Sequence, residues 1–281
     1  MAVTDRESQQ LREANASGRA PVVFVHGAWL LPGSWDPWQA LFQEAGYATI
    51  APGWPDDPDT VAQARANPSV FAGRSIREVA DHLDEVVRQL DRKPAIIGHS
   101  FGGLFTQILA GRGRSAASVA IDPAPFRGVL PLPISALRSA WPALHNPFNR
   151  GRAVSLTYEQ FRYAFANAVT EEEAHQLFET FAVAAPGKPL FQAAGANLNP
   201  WTEDKVDTKN PDRGPLLILD GELDHVVPWS LANASYNRQK RNSGVTEIQL
   251  IPGRGHALTI DSGWREVAEI ALGFVRRFVP A

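Results

Sequence analysis

Cysteine is absent from the 281-residue sequence. That absence removes disulfide staples, thiolate metal sites and a cysteine nucleophile together, while leaving the redox compartment open. Long apolar runs are also missing. None approaches the roughly 18 residues that a membrane span requires. The opening "MAVTDRESQQLREANASGRA" is polar and mixed in charge, without the apolar core of a secretory signal. Neither sign of charge dominates: 27 Lys and Arg stand against 30 Asp and Glu, a net charge of -3. This balance carries no electrostatic footprint for nucleic acid or an anionic membrane. Histidine pairs with zinc spacing are lacking too. The expectation is a cytoplasmic protein with no nucleic-acid or membrane partner, no metal and no organic cofactor. Oligomeric state is not readable from the chain.

What is present is an ordinary globular composition, 44% hydrophobic and 20% charged, long enough for one large α/β domain. Residues 1–20 read as a polar arm. Short β-rich apolar runs follow at 22–25, 47–52, 95–98, 116–122, 215–220 and 246–251. Helical patterns separate them at 34–46, 75–90, 101–112 and 229–241, with a last one at 263–278. The pattern at 75–90 opens on a Ser75/Glu78 capping box and keeps Ile76, Val79, Leu83 and Val86 at helical spacing. Strands alternating with helices predict a mainly parallel, twisted sheet with helices on both faces. The exception is 123–214, which shows helix-like pieces at 157–169 and 170–184 but no convincing strand. It reads as a helical cap inserted into a core made of 21–122 and 215–281.

The chemistry-bearing stretch is "AIIGHSFGGLF" at 95–105. Gly98-His99-Ser100-Phe101-Gly102 is a common pattern taken alone, but here it lies where a strand ends and a helix begins. A nucleophile elbow needs that context, because its serine takes strained backbone angles in a turn too tight for neighbouring side chains. The helix N-terminus behind Ser100 offers free N–H groups to developing negative charge. Serine needs a base to accept its proton. Of seven histidines, His256 in "LIPGRGHALTID" is the candidate, on a glycine-bearing loop after the last strand. His26 and His99 abut strand ends and read as structural. The orienting acid is Asp224 in "LDGELDHVVP", with Asp122 and Asp220 as rivals at the ends of neighbouring strands. The N–H groups of Phe101 and Ala28 are the expected oxyanion donors, with Trp29 as the alternative to Ala28.

Two other patterns are set aside. "GRGRSA" at 111–116 follows a helix and precedes a strand, the reverse of a dinucleotide site. "WPDDPD" at 54–59 reads as a solvated loop.

The motifs "VFVHGAW", "GHSFGG", "GELDHVVP" and "GRGHAL", in that order, resemble the α/β-hydrolase superfamily. "HGAW…GSW" with "GHSFGG" is most similar to its cofactor-free branch of esterases, methylesterases and hydroxynitrile lyases. The resemblance covers about 22–281, the cap matching only in position. It implies the α/β-hydrolase fold, a Ser100–Asp224–His256 triad and an oxyanion hole at Ala28 and Phe101. Family members commonly have a β-hairpin before the His-Gly strand; this chain has only the polar arm there, which puts the strand count in question. Dehalogenases and epoxide hydrolases of the fold carry aspartate where this chain has Ser100, which argues against both. The expected activity is cleavage of a small, apolar carboxylic ester, lactone or thioester through an acyl-enzyme. Trp29 and the cap aromatics Trp141 and Phe161 are expected to line the substrate pocket. Lyase chemistry on the same triad, or ligand binding with weak turnover, remain the alternatives.

Overall fold

The computed structural model describes residues 3–281. Helix α1 (Asp5–Ser17) leads into strand β1 (Pro21–Val25), helix α2 (Asp36–Glu44) and strand β2 (Ala48–Ile50). Helices α3 (Val61–Ala66) and α4 (Ile76–Arg88) precede strand β3 (Ala95–His99), helix α5 (Phe101–Gly111) and strand β4 (Ala117–Ile121). Next come α6 (Ile134–Leu144), β5 (Ala153–Val154), α7 (Tyr158–Ala164), α8 (Glu171–Phe181), β6 (Ala185–Pro186) and α9 (Gly187–Gly195). Strand β7 (Leu216–Gly221), helix α10 (Trp229–Gln239), strand β8 (Thr246–Ile251) and helix α11 (Trp264–Phe278) complete the order.

Six strands form one sheet in the order β2-β1-β3-β4-β7-β8, with every neighbouring pair parallel. Strands β1, β3, β4 and β7 are buried along their whole length. Burial on both faces is why they read as continuous apolar runs rather than alternating ones. The period of two still sorts their side chains. Val23, Val25 and Ile96 pack with α1, α4 and α5, while Val22, Phe24, Ile97 and Val119 pack with α2 and α11. The six strands agree with the sequence reading, and no hairpin precedes β1 among the described residues.

The polar arm expected at 1–20 is instead a helix over most of its length. Thr4 and Glu7 make a capping box, and Gly18 closes the helix in the left-handed region at φ 65°. Only Leu11 and Ala14 turn apolar side chains inward, too few to mark a helix by periodicity. The rest of the docking is polar. Buried Glu7 meets buried His82 of α4 at 2.9 Å and accepts the Gly53 N–H at 3.2 Å. Burial pushes the Glu7 carboxyl up, but hydrogen bonds from His82 and Thr4 outweigh it and hold the group below its ordinary value.

The segment between β4 and β7 is mostly helical, and it holds one pairing that the sequence reading lacked. Ala153–Val154 and Ala185–Pro186 form a two-residue antiparallel ladder. Helices α7 and α8 fall within the expected 157–169 and 170–184; α6 and α9 were not foreseen.

Candidate active site

Ser100 follows directly on β3 and stands at φ 57°, ψ -120°. A non-glycine residue held there costs about 1–3 kcal/mol and persists only when its surroundings over-determine it. They do so here. The Ser100 N–H donates to Ile121 O at 2.9 Å, and its carbonyl accepts from Leu104 and Ala124 at 3.1 and 2.9 Å. The flanking glycines have a steric reason. A Cβ on Gly98 would collide with the Gly102 carbonyl, and one on Gly102 would collide with the Val25 carbonyl. Gly27 adds a third close approach, since a Cβ there would lie 2.8 Å from Ser100 Cβ. The β1 loop is thereby pressed against the serine.

His256 follows β8 on a loop that turns at Gly253, φ 69°. Its Nδ1 lies 2.6 Å from Asp224 Oδ2. The other Asp224 oxygen accepts the N–H groups of Val226 and Val227 at 2.6 and 3.0 Å, which fixes the carboxylate plane. With Nδ1–H directed at Asp224, the lone pair falls on Nε2. That nitrogen is buried and has no hydrogen-bond partner among the described residues, so no hydrogen bond joins it to Ser100. Catalytic hydrogen bonds are commonly open in the absence of substrate and close on binding. His99 supports the loop from below, its Nε2 lying 2.9 Å from the His256 carbonyl as a donor. Burial, and the repulsion that a protonated His256 would add, hold the His99 ring well below its ordinary value. Phe165 packs edge-on against the His256 ring at 4.9 Å.

Asp122, the rival acid, lies farther off, its Oδ2 3.7 Å from His256 Nδ1. It sits at φ 42° and its Oδ1 accepts the Gly221 N–H at 2.8 Å. Asp122, Asp220 and Asp224 bring carboxyl oxygens within 4.8 Å of one another, all buried. Burial and the Asp224 charge drive Asp122 well above the usual carboxylate range and push Asp220 up to about 9. Asp224 is the member that receives the backbone N–H donors and the imidazole.

Ser100 and Phe101 open onto a cavity of about 250 Å³, walled by Trp29, Ala124, Leu132, Leu137, Leu190 and Val227 among others. Its exposed lining is predominantly apolar. Trp29, itself at φ 66°, is fixed by its indole N–H to Val154 O at 2.9 Å. Two expected pocket residues are elsewhere. Trp141 turns outward, 64% exposed, and Phe161 is fully buried against Phe165 and Phe178; neither lines the cavity. Among the described residues, the N–H groups of Ala28 and Phe101 donate to no backbone oxygen.

The family described as "Alpha/beta hydrolase family" matches residues 22–270. The chain belongs to this family. Solved structures of similar shape include a monoacylglycerol lipase of Paleococcus ferrophilus (19% identity, TM-score 0.63, 92% of this chain and 94% of that one). An esterase of Thermogutta terrifontis is 16% identical with TM-score 0.65, covering 92% of this chain and 90% of that one. A methylesterase of Arabidopsis is 14% identical with TM-score 0.65, covering 92% and 99%. No curated protein matches the chain.

Within this α/β-hydrolase-family chain, sequence reasoning took His99 and His26 as merely structural. His99 carries the His256 loop. His26 stacks on Trp54 at 5.4 Å, with its Nε2 2.9 Å from Asp57. The available signal was position: both histidines abut the glycines that crowd Ser100.

Proposed function

We propose that the chain is a serine hydrolase that cleaves small apolar carboxylic esters, with lactones and thioesters as chemical variants, and that it needs no metal or organic cofactor. The observation that carries this reading is the pairing of two half-sites. A strained Ser100 lies on the wall of an apolar cavity, and a buried His256, oriented by Asp224, keeps Nε2 unpartnered.

In this reading, substrate brings Ser100 Oγ and His256 Nε2 into hydrogen-bond reach. His256 takes the proton as Oγ attacks the carbonyl carbon. The N–H groups of Ala28 and Phe101 hold the tetrahedral oxyanion. His256 then protonates the leaving alkoxide, and water attacks the acyl-enzyme by the same route. Asp224 stabilises the imidazolium that forms in each half. Burial and the Asp224 charge favour the protonated forms of Asp122 and Asp220, which leaves Asp224 as the carboxylate facing the ring.

The test is hydrolysis of p-nitrophenyl acetate, butyrate and octanoate by wild type and Ser100→Ala. Turnover by wild type and a loss on the order of 10⁶ in the variant support the reading. Equal inertness of the two proteins counts against it.

A further inference from the structure

Eight of the ten large apolar side chains that stand out into solvent among the described residues belong to two stretches, 130–148 and 198–201. Helix α6 is built inside out. Ser139 and Ala143 face the protein, while Ile134, Leu137 and Trp141 lie on the opposite side and are 48% to 85% exposed. Leu130 and Leu132, just before the helix, are exposed as well, as are Leu198 and Trp201. Leu132 and Leu137 also line the cavity that reaches Ser100, so the exposed apolar side chains adjoin it. Monomeric soluble proteins rarely gather this many exposed large apolar side chains in so few segments without a partner.

The charge around the face is mainly of one sign; the exception, Glu203, shares a cleft with Trp201 and Arg150 and pairs with Arg77. From 123 to 158 there are four arginines, at 127, 138, 150 and 152, and no Asp or Glu. From 180 to 202 there is one lysine and no acid. Arg127, Lys205 and Arg238 converge on a surface cleft beside Leu130. Asp204, nearest in sequence to that cleft, is fully buried. The whole-chain charge of -3 conceals this local excess because most of the acids lie outside these stretches.

We propose that this face docks on an anionic lipid bilayer and admits the apolar ester to Ser100 directly from it. Exposed apolar side chains ringed by cations fit a headgroup boundary. A second copy of this chain, docked face to face by two-fold symmetry, would set arginines against arginines. The docking is peripheral, since no helix is long and apolar enough to cross a membrane among the described residues. The delivery of substrate rests on the esterase reading; the docking itself does not.

The experiment is flotation with vesicles of equal parts phosphatidylcholine and phosphatidylglycerol, compared with pure phosphatidylcholine. Wild type is expected to float with the anionic vesicles and to release as salt rises to about 0.5 M. Ile134→Ser/Trp141→Ser should bind about tenfold more weakly or worse, with unchanged melting temperature and unchanged turnover of dissolved p-nitrophenyl acetate. Arg150→Glu/Arg152→Glu should lose anionic binding independently of any change in apolar surface. Failure of wild type to float, or flotation of both variants equal to that of wild type, overturns the proposal. So does a wild-type dimer in light scattering that ignores vesicles and dissociates in Ile134→Ser/Trp141→Ser. Binding is read without turnover, so flotation by a protein inert to every ester sustains the docking and removes only the esterase reading.

Discussion

Asp224 Oδ2 lies 2.6 Å from His256 Nδ1, whereas Asp122 Oδ2 lies 3.7 Å from the same nitrogen. Both carboxyls are buried and either could face the ring, but only Asp224 has its second oxygen fixed by two backbone N–H groups. Asp122 Oδ1 accepts the Gly221 N–H, and burial and the Asp224 charge push its carboxyl well above the usual range. Asp224→Asn should therefore lower kcat on p-nitrophenyl butyrate by about 10⁴, by presenting the wrong imidazole tautomer. Asp122→Asn should cost less than about tenfold, because Asp122 lies farther from His256 Nδ1 and keeps a comparable acceptor for Gly221. Steady-state kinetics on the two variants decides the matter, and the reverse ranking would make Asp122 the orienting acid.

Asp220 gives a pH-dependent prediction. Unfolded, it loses its proton near the ordinary 3.8; folded, it keeps it to about 9 because of burial and the Asp224 charge. Between those values the native state holds the extra proton, so this group's contribution to stability falls as pH rises through the window. Asp220→Asn mimics the neutral acid. It should raise the melting temperature at pH 8 by about 3 °C or more and change it little at pH 4. Thermal melts at both values check this, and an equal shift at each would contradict it.

Helix α1 depends on a buried polar contact, not an apolar stripe. Glu7→Gln should destabilise the chain by about 1 kcal/mol in urea unfolding, since it replaces the carboxylate that accepts from Thr4 and Gly53 and meets His82. The folded carboxyl titrates below its ordinary 4.5. The wild-type advantage should thus be full above that pH and vanish as pH falls through the lowered folded value. A difference between the two proteins that persists undiminished into stronger acid would argue against a role for the Glu7 carboxylate charge.

The cavity makes a specificity prediction. Ala193 of α9 lies on its wall. Ala193→Phe fills the space an extended apolar group would occupy, so the ratio of kcat/KM for octanoate over acetate should fall by about 10- to 100-fold. An unchanged ratio would place the acyl chain elsewhere.

Much of the sheet was legible because strands buried on both faces are short continuous apolar runs, and β1, β3, β4 and β7 are of that kind. The elbow was legible because crowding at Gly98 and Gly102 leaves no choice but glycine. Helix α1 was not, since two inward apolar residues and a buried Glu–His pair leave no periodic trace. Helix α6 was missed for the opposite reason. Its apolar residues Ile134, Leu137 and Trp141 point into solvent, and Pro142 lies within it, so neither a core-facing stripe nor a clean helical composition marks it. The same outward turn explains Trp141, and Phe161 fails as a pocket residue because it is core. Aromatic identity does not reveal which way a side chain faces.

The most direct test of the central claim is covalent labelling by a p-nitrophenyl alkylphosphonate, read by intact mass and peptide mapping. Attack by the serine oxygen on phosphorus expels p-nitrophenolate and leaves a stable phosphonyl ester. One adduct per chain on the peptide containing Ser100, absent in Ser100→Ala and strongly slowed in His256→Ala, is the result predicted here. An adduct on another residue, or none in a protein that turns over esters, would contradict Ser100 as the nucleophile.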